Sequence, residues 1–261
     1  MGKYDGYLIC SDFDGTLAKE TRISDENRAA INEFIAGGGL FTIASGRSPE
    51  FLIAHTADIG INAPLMGING GAIADPLSGK MLHSVTLDEG ALTALCALTQ
   101  MISTISFIEI VYCEDRFLTR RLTRGGDLEP KEILAYTGKD IYKILIVFEQ
   151  PEHAYAAEQT CRILFGSRYL FERSWPYGLE MLPREGGKGN GILALKEILG
   201  DKVKCVIGAG DYENDISLIK AADIGFAVSN AIDPVKETAD RVTKNDCTNA
   251  VAEIIRSLPE L

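Results

Sequence analysis

Tyr7-Leu8-Ile9-Cys10-Ser11-Asp12-Phe13-Asp14-Gly15-Thr16-Leu17 is the stretch on which the reading of this chain turns. Its first five residues form a short apolar run that ends in acidic and turn residues, the pattern of a buried strand feeding a loop. Alternation along extended backbone puts Asp12 and Asp14 on the same side, their carboxylates facing one space. Two anions so close repel unless a cation lies beside them or one of them is protonated. Gly15 permits a tight turn or a close approach of backbone N–H groups to an anion. One carboxylate could attack phosphorus while the other handles the leaving-group proton; the alternative is a solvated acidic turn.

Working outward, Ser24 caps an amphipathic helix that Gly37-Gly38-Gly39 stops, and Leu40 to Ala44 is the next strand. A helix from Pro49 to Ile59 and a short strand from Pro64 to Ile68 follow. The alternation resumes near the C-terminus. There, helices at 189–199, 215–222 and 250–258, with another starting at Val235, interleave with strands at 203–208, 224–228 and 240–243. Strands alternating with helices mean a parallel sheet. The middle differs: strands at 80–87, 105–113, 117–122, 142–148, 169–171 and 179–182 accompany helices at 88–102 and 151–165. Paired strands with helices to one side describe an α+β domain, residues 80–183, inserted into an α/β core of residues 1–79 and 184–261.

Three further constellations fall at strand ends or helix starts, where open α/β sheets place their ligands. Ser45-Gly46-Arg47 follows the second strand; its hydroxyl and backbone N–H groups suit phosphoryl oxygens or a plain helix cap. Lys188 sits in Gly186-Gly187-Lys188-Gly189-Asn190-Gly191. This resembles half a P-loop, but Gly189 stands where Ser or Thr is required. A cation at a helix start opposes the helix dipole, which invites a functional explanation: charge neutralisation of a phosphoryl group. Gly210-Asp211-Tyr212-Glu213-Asn214-Asp215 offers hard oxygen ligands that suit Mg²⁺, or an acidic helix cap, the reading adopted for Glu213.

The four segments, in this order and with the insertion between the second and third, resemble the haloacid dehalogenase superfamily. The match extends to its Cof-type sugar-phosphatase-like branch with a large α/β cap, and it includes Asn69-Gly70-Gly71-Ala72 and Leu179-Glu180-Met181-Leu182-Pro183. The resemblance implies a Rossmann-like three-layer core with a parallel central sheet, plus the inserted α+β cap domain. It further implies that Asp12 is the nucleophile and becomes an aspartyl phosphate. Asp14 is implied as the acid and base. Mg²⁺ is implied on Asp12, the Asp14 backbone carbonyl, Asp211 and Asp215. Ser45, Gly46, Arg47, Lys188 and Asn214 are implied at the phosphoryl group. The expected activity is Mg²⁺-dependent hydrolysis of small phosphorylated metabolites, sugar phosphates by resemblance. A phosphomutase, or a non-catalytic binding protein on the same fold, is the alternative.

The bulk numbers fit. With 37 acidic against 26 basic residues the net charge is −11, which argues against nucleic-acid or anionic-membrane partners. The six cysteines carry no CxxC pair or zinc spacing, and no apolar stretch precedes Tyr4, so a cytoplasmic protein is expected. His55, His83 and His153 match no ligand spacing. Arg116, Arg120, Arg121 and Arg124 form a basic cluster that reads as a solvated face or as a grip on a second anionic group.

Overall fold

The computed structural model describes residues 2–259. Contacts divide the chain into two compact units: the chain up to Ser84 together with the chain from Gly187 onward, and Val85–Gly186.

The first unit is an α/β fold around a five-stranded parallel sheet. Its order is Arg241–Val242, Ile224–Ala227, Cys205–Gly210, Tyr7–Ser11, Leu40–Ile43. The apolar run at the N-terminus lies in the interior because each of its faces meets a helix layer. Tyr7 and Ile9 join Ile31 and Phe34 of helix Asp25–Ala36 and Ile254 and Ile255 of helix Ala250–Ser257 in one cluster. Leu8 and Cys10 point the other way, onto Ile192 and Leu195 of helix Lys188–Leu199 and Leu218 of helix Ile216–Ala221. Period-two alternation in one strand thus produces the three layers.

Two local features depart from the sequence reading. The strand expected at 80–87 as part of the insertion is Met81–Ser84. It hairpins onto Ala72–Ala74, which pairs in turn with Leu65–Gly67. That antiparallel sheet meets the end of Leu40–Ile43 through a parallel bridge between Ala44 and Met66. The helix expected from Asp88 begins at Ala91, because the Asp88 carboxylate accepts the Gly90 N–H at 2.9 Å and holds the chain in a turn.

The second unit is a five-stranded antiparallel sheet ordered Tyr169–Trp175, Gly178–Pro183, Asp140–Phe148, Ile105–Cys113, Phe117–Thr123. Alternate residues, among them Ile108, Ile110, Ile144, Ile146, Leu179 and Met181, pack against helices Ala91–Met101 and Pro151–Phe165. The arginine cluster is largely engaged within this unit. Arg120 pairs with Asp127 at 2.7 Å, and Arg121 with Glu109 at 2.6 Å. Arg124 donates to the carbonyls of Thr99 and Ile102 at 2.8 and 3.1 Å, closing the end of the first helix. All six cysteines are free thiols. Among the described residues no helix is long and apolar enough to cross a membrane.

Just past the aspartate loop, Ala18–Lys19 and Arg22–Ile23 form a hairpin whose two linking residues, Glu20 and Thr21, have φ of 50° and 67°. A two-residue hairpin loop of this hand favours Asn-Gly, and neither Glu nor a β-branched Thr suits positive φ. The double substitution Glu20→Asn/Thr21→Gly is therefore expected to raise unfolding free energy by about 1–2 kcal/mol. Urea melts would read this as a higher midpoint at unchanged slope; no rise would count against strain in the turn.

Candidate active site

Three parallel strands end side by side, and each delivers polar groups as it ends. Asp12 follows Tyr7–Ser11 and keeps the pairing going for one more residue, its N–H donating to the Ala209 carbonyl at 2.9 Å. Asp211 follows the neighbouring strand Cys205–Gly210. Ser45 lies beyond Leu40–Ile43 on the other side, held by its N–H to the Met66 carbonyl at 2.9 Å.

Lys188, the first residue of its helix, is wholly buried. Its ammonium donates to Asp12 Oδ1 and Asp215 Oδ1, each at 2.6 Å. The second oxygen of Asp215 accepts the backbone N–H groups of Asp211 and Tyr212 at 2.9 and 3.1 Å. Asp211 Oδ1 accepts the Thr16 hydroxyl at 2.7 Å. Gly15, with φ +87°, passes so close that an added Cβ would lie 2.6 Å from Asp211 Oδ2. The left-handed turn and the close approach both demand glycine there.

Asp12, Asp211 and Asp215 form a cluster in which one carboxylate oxygen from each lies within 4.8 Å of the others. Burial raises the Asp12 pKa well above the ordinary range; Lys188 opposes the rise, while Asp215 and Asp211 add to it. Burial, then the charge of Asp215, pushes Asp211 up to about 6. Burial also works against the Lys188 ammonium, yet Asp12 and Asp215 outweigh it and hold the group charged. One buried cation among three carboxylates leaves an excess of negative charge. That excess and the all-oxygen donor set fit a hard divalent cation.

The other sequence-derived candidates lie around this cluster in two further pairs. Asp14 and Arg47 face each other, with Nε to Oδ2 at 2.9 Å and Nη2 to Oδ1 at 3.1 Å. The Ser45 hydroxyl oxygen accepts the Arg47 N–H at 3.2 Å, across Gly46. Asn214 donates to Asn69 Oδ1 at 3.2 Å, both side chains buried. Asn69 and Ile68 both adopt φ of 49°, and the Asn69 N–H is tied to the Ser45 carbonyl at 2.8 Å. Asparagine tolerates that region and isoleucine does not, so backbone strain is stored beside the site. His55 stacks on Phe51 with ring centroids 3.8 Å apart, in keeping with a structural role.

Sequence reasoning assigned no role to Thr16, which lay inside the quoted motif, and used Asn69 only as part of a resemblance. Asn230 it missed altogether. Its side chain donates to the Gly15 carbonyl at 2.8 Å and accepts the Cys247 N–H at 3.0 Å, bracing the aspartate loop. Ser229-Asn230 looked like any turn, and nothing local could have singled it out.

Residues 9–255 match a family model described as haloacid dehalogenase-like hydrolase. The chain is 31% identical to the 5-amino-6-(5-phospho-D-ribitylamino)uracil phosphatase YwtE of Bacillus subtilis (strain 168), over 96% of this chain and 97% of that protein. Among solved structures, a haloacid dehalogenase-like hydrolase from Bacteroides thetaiotaomicron superposes with a TM-score of 0.70 at 26% identity, covering 97% of this chain and 99% of the other. One from B. subtilis superposes with a TM-score of 0.79 at 21% identity, covering 96% and 99%.

The charge excess has a measurable signature. Asp211 holds its proton to a higher pH folded than unfolded, where a carboxyl titrates near about 3.9. The folded state thus binds more protons between about pH 4 and 6, and this contribution to stability is lost as pH rises through that window. In metal-free protein, Asp211→Asn is expected to gain in melting temperature over wild type from pH 4.5 to 7. A difference that stays flat or shrinks would contradict the raised pKa.

Proposed function

Because the chain belongs to the haloacid dehalogenase-like hydrolases, we propose that it hydrolyses phosphomonoesters of small polyhydroxylated metabolites, with Asp12 as the nucleophile. It is a phosphoric monoester hydrolase, as its relatives are named phosphatases. The observation that carries the residue assignment is the buried Lys188 ammonium bridging Asp12 and Asp215 beside Asp211.

The steps follow from what each group offers. An Asp12 carboxylate oxygen attacks phosphorus, and the phosphorus–oxygen bond to the ester breaks. The departing alkoxide takes a proton from Asp14. Water then gives a proton back to Asp14 as its oxygen attacks phosphorus, which breaks the aspartyl–phosphate bond and releases inorganic phosphate. Phosphoryl transfer needs positioning and neutralisation of spread negative charge more than covalent chemistry. Lys188 supplies a fixed, desolvated cation for this. The Ser45 hydroxyl, the Gly46 backbone and the Asn214 amide are assigned to the phosphoryl oxygens.

Asp12, Asp211 and Asp215, with the Asp14 backbone carbonyl, are assigned to Mg²⁺. When bound, the ion neutralises phosphoryl oxygens and reduces repulsion between Asp12 and an anionic substrate. Burial alone favours the protonated, non-nucleophilic form of Asp12, so the residue depends on the cations around it.

The substrate class rests on the resemblance to sugar phosphatases and on the B. subtilis relative, whose named substrate carries its phosphate on a ribityl chain. A primary phosphate ester of a sugar or polyol satisfies both. The free cysteines and the acidic charge suit a cytoplasmic enzyme.

Purified protein is expected to release phosphate from phosphorylated sugars and polyols with Mg²⁺ and not with excess EDTA. Asp12→Asn should fall to background on every substrate. Acid quenching of wild type during turnover should trap base-labile phosphate on the peptide containing Asp12. Turnover by Asp12→Asn equal to that of wild type would overturn the assignment.

A further inference from the structure

We propose that Arg47 is a positioning residue for Asp14. Its guanidinium fixes the carboxyl that exchanges the proton with the leaving group, and it is not a ligand of the phosphoryl group. The inference rests on the reading of Asp14 as the acid and base.

Geometry carries it. Arg47 meets Asp14 side-on with two donors on two different oxygens, at 2.9 and 3.1 Å. Such a pair fixes the plane of the carboxyl as well as its place. The Asp14 backbone is bridged to Ala18, but its side chain is 43% exposed and reaches out to the guanidinium. Arg47, by contrast, is fixed from several directions. Its guanidinium carbon lies 4.8 Å above the Phe51 ring. Phe51 stacks on His55 and meets Phe13, the residue between the two aspartates, edge-on at 6.2 Å. The Arg47 N–H donates to Ser45 Oγ, and its carbonyl accepts the Ile68 N–H at 2.8 Å. At Gly67 an added Cβ would lie 2.9 Å from the Arg47 carbonyl oxygen, so the strand behind it packs close.

Stability does not account for this scaffolding. An ion pair with 47% and 43% of its side chains exposed contributes at most about 1 kcal/mol. Orientation does account for it. A proton donor must lie within about 0.5 Å and 10–20° of its working geometry, and a 1 Å error can cost about a hundredfold in rate. The backbone bridge to Ala18 fixes where the Asp14 side chain starts, and the guanidinium fixes the plane of its carboxyl.

The test compares two esters. An alkyl sugar phosphate needs a proton on its leaving oxygen, whereas p-nitrophenyl phosphate expels a stabilised phenolate with little help. Arg47→Lys is expected to lower kcat on the alkyl ester about thirtyfold and on the aryl ester about threefold, with KM within about twofold for both. Phe51→Leu, which removes the stacking partner, should show the same preference more weakly. Asp14→Asn should lose about a hundredfold or more on the alkyl ester, and adding Arg47→Lys to it should cost nothing further there.

Equal losses on both esters with a raised KM would make Arg47 a phosphoryl ligand and overturn the proposal. Additive losses in the double variant, or wild-type behaviour of Arg47→Lys, would also overturn it. If Asp14→Asn itself failed to discriminate between the esters, the role of Asp14 would fall and this inference with it. Failure of the inference alone would leave the selectivity of Asp14→Asn intact.

Discussion

The structure of the site depends on one buried charge, the ammonium of Lys188. Removing an ammonium from water costs several kcal/mol, and a helix N-terminus repels it further. Asp12 and Asp215, both at 2.6 Å, offset that cost. Each carboxylate then fixes something else. Asp215 uses its other oxygen to hold the backbone of Asp211 and Tyr212, and Asp12 extends the pairing of its strand with Ala209. A single cation thereby sets the separation of two adjacent strand ends and the start of a helix. It also joins Asp12 and Asp215 into one charged unit.

The glycines around Lys188 are explained by packing rather than by a phosphate loop. A Cβ on Gly191 would meet the Met66 sulfur at 2.6 Å and the Gly70 Cα at 3.1 Å. The first turns of the lysine helix lie so close to the loop after Leu65–Gly67 that no side chain fits between them. That closeness buries the ammonium, so the half P-loop seen in the sequence is a device for desolvating a cation.

What the sequence disclosed and what it hid divide along physical lines. The parallel sheet was legible because burial on both faces leaves an uninterrupted apolar run, as in Tyr7–Ser11 and Cys205–Gly210. The four polar segments were legible because residues at strand ends are neighbours in sequence. Pairings between segments were not. Arg47 on Asp14 and Asn214 on Asn69 join residues 33 and 145 positions apart, and no periodicity encodes such a meeting. The hairpin of Ala72–Ala74 and Met81–Ser84 was hidden by Pro76 and Gly79, which mimic a domain junction as readily as a turn. The Glu20–Thr21 loop broke the turn rules altogether.

The sheet order has a consequence for the chain as the ribosome makes it. Tyr7–Ser11 emerges early, and its neighbour Leu40–Ile43 follows soon after. Its other neighbour, Cys205–Gly210, comes far later in the sequence, with Thr16 and Asp211 separated by 195 positions. At about 5–20 residues per second, that strand arrives roughly 10–40 s later. For that interval Tyr7–Ser11, an interior strand of the finished sheet, is a bare apolar edge, a form prone to pairing with another chain. The contiguous segment Val85–Gly186 is complete before the missing strand appears. The polypeptide must therefore keep this apolar strand out of trouble while some 195 further residues are synthesised.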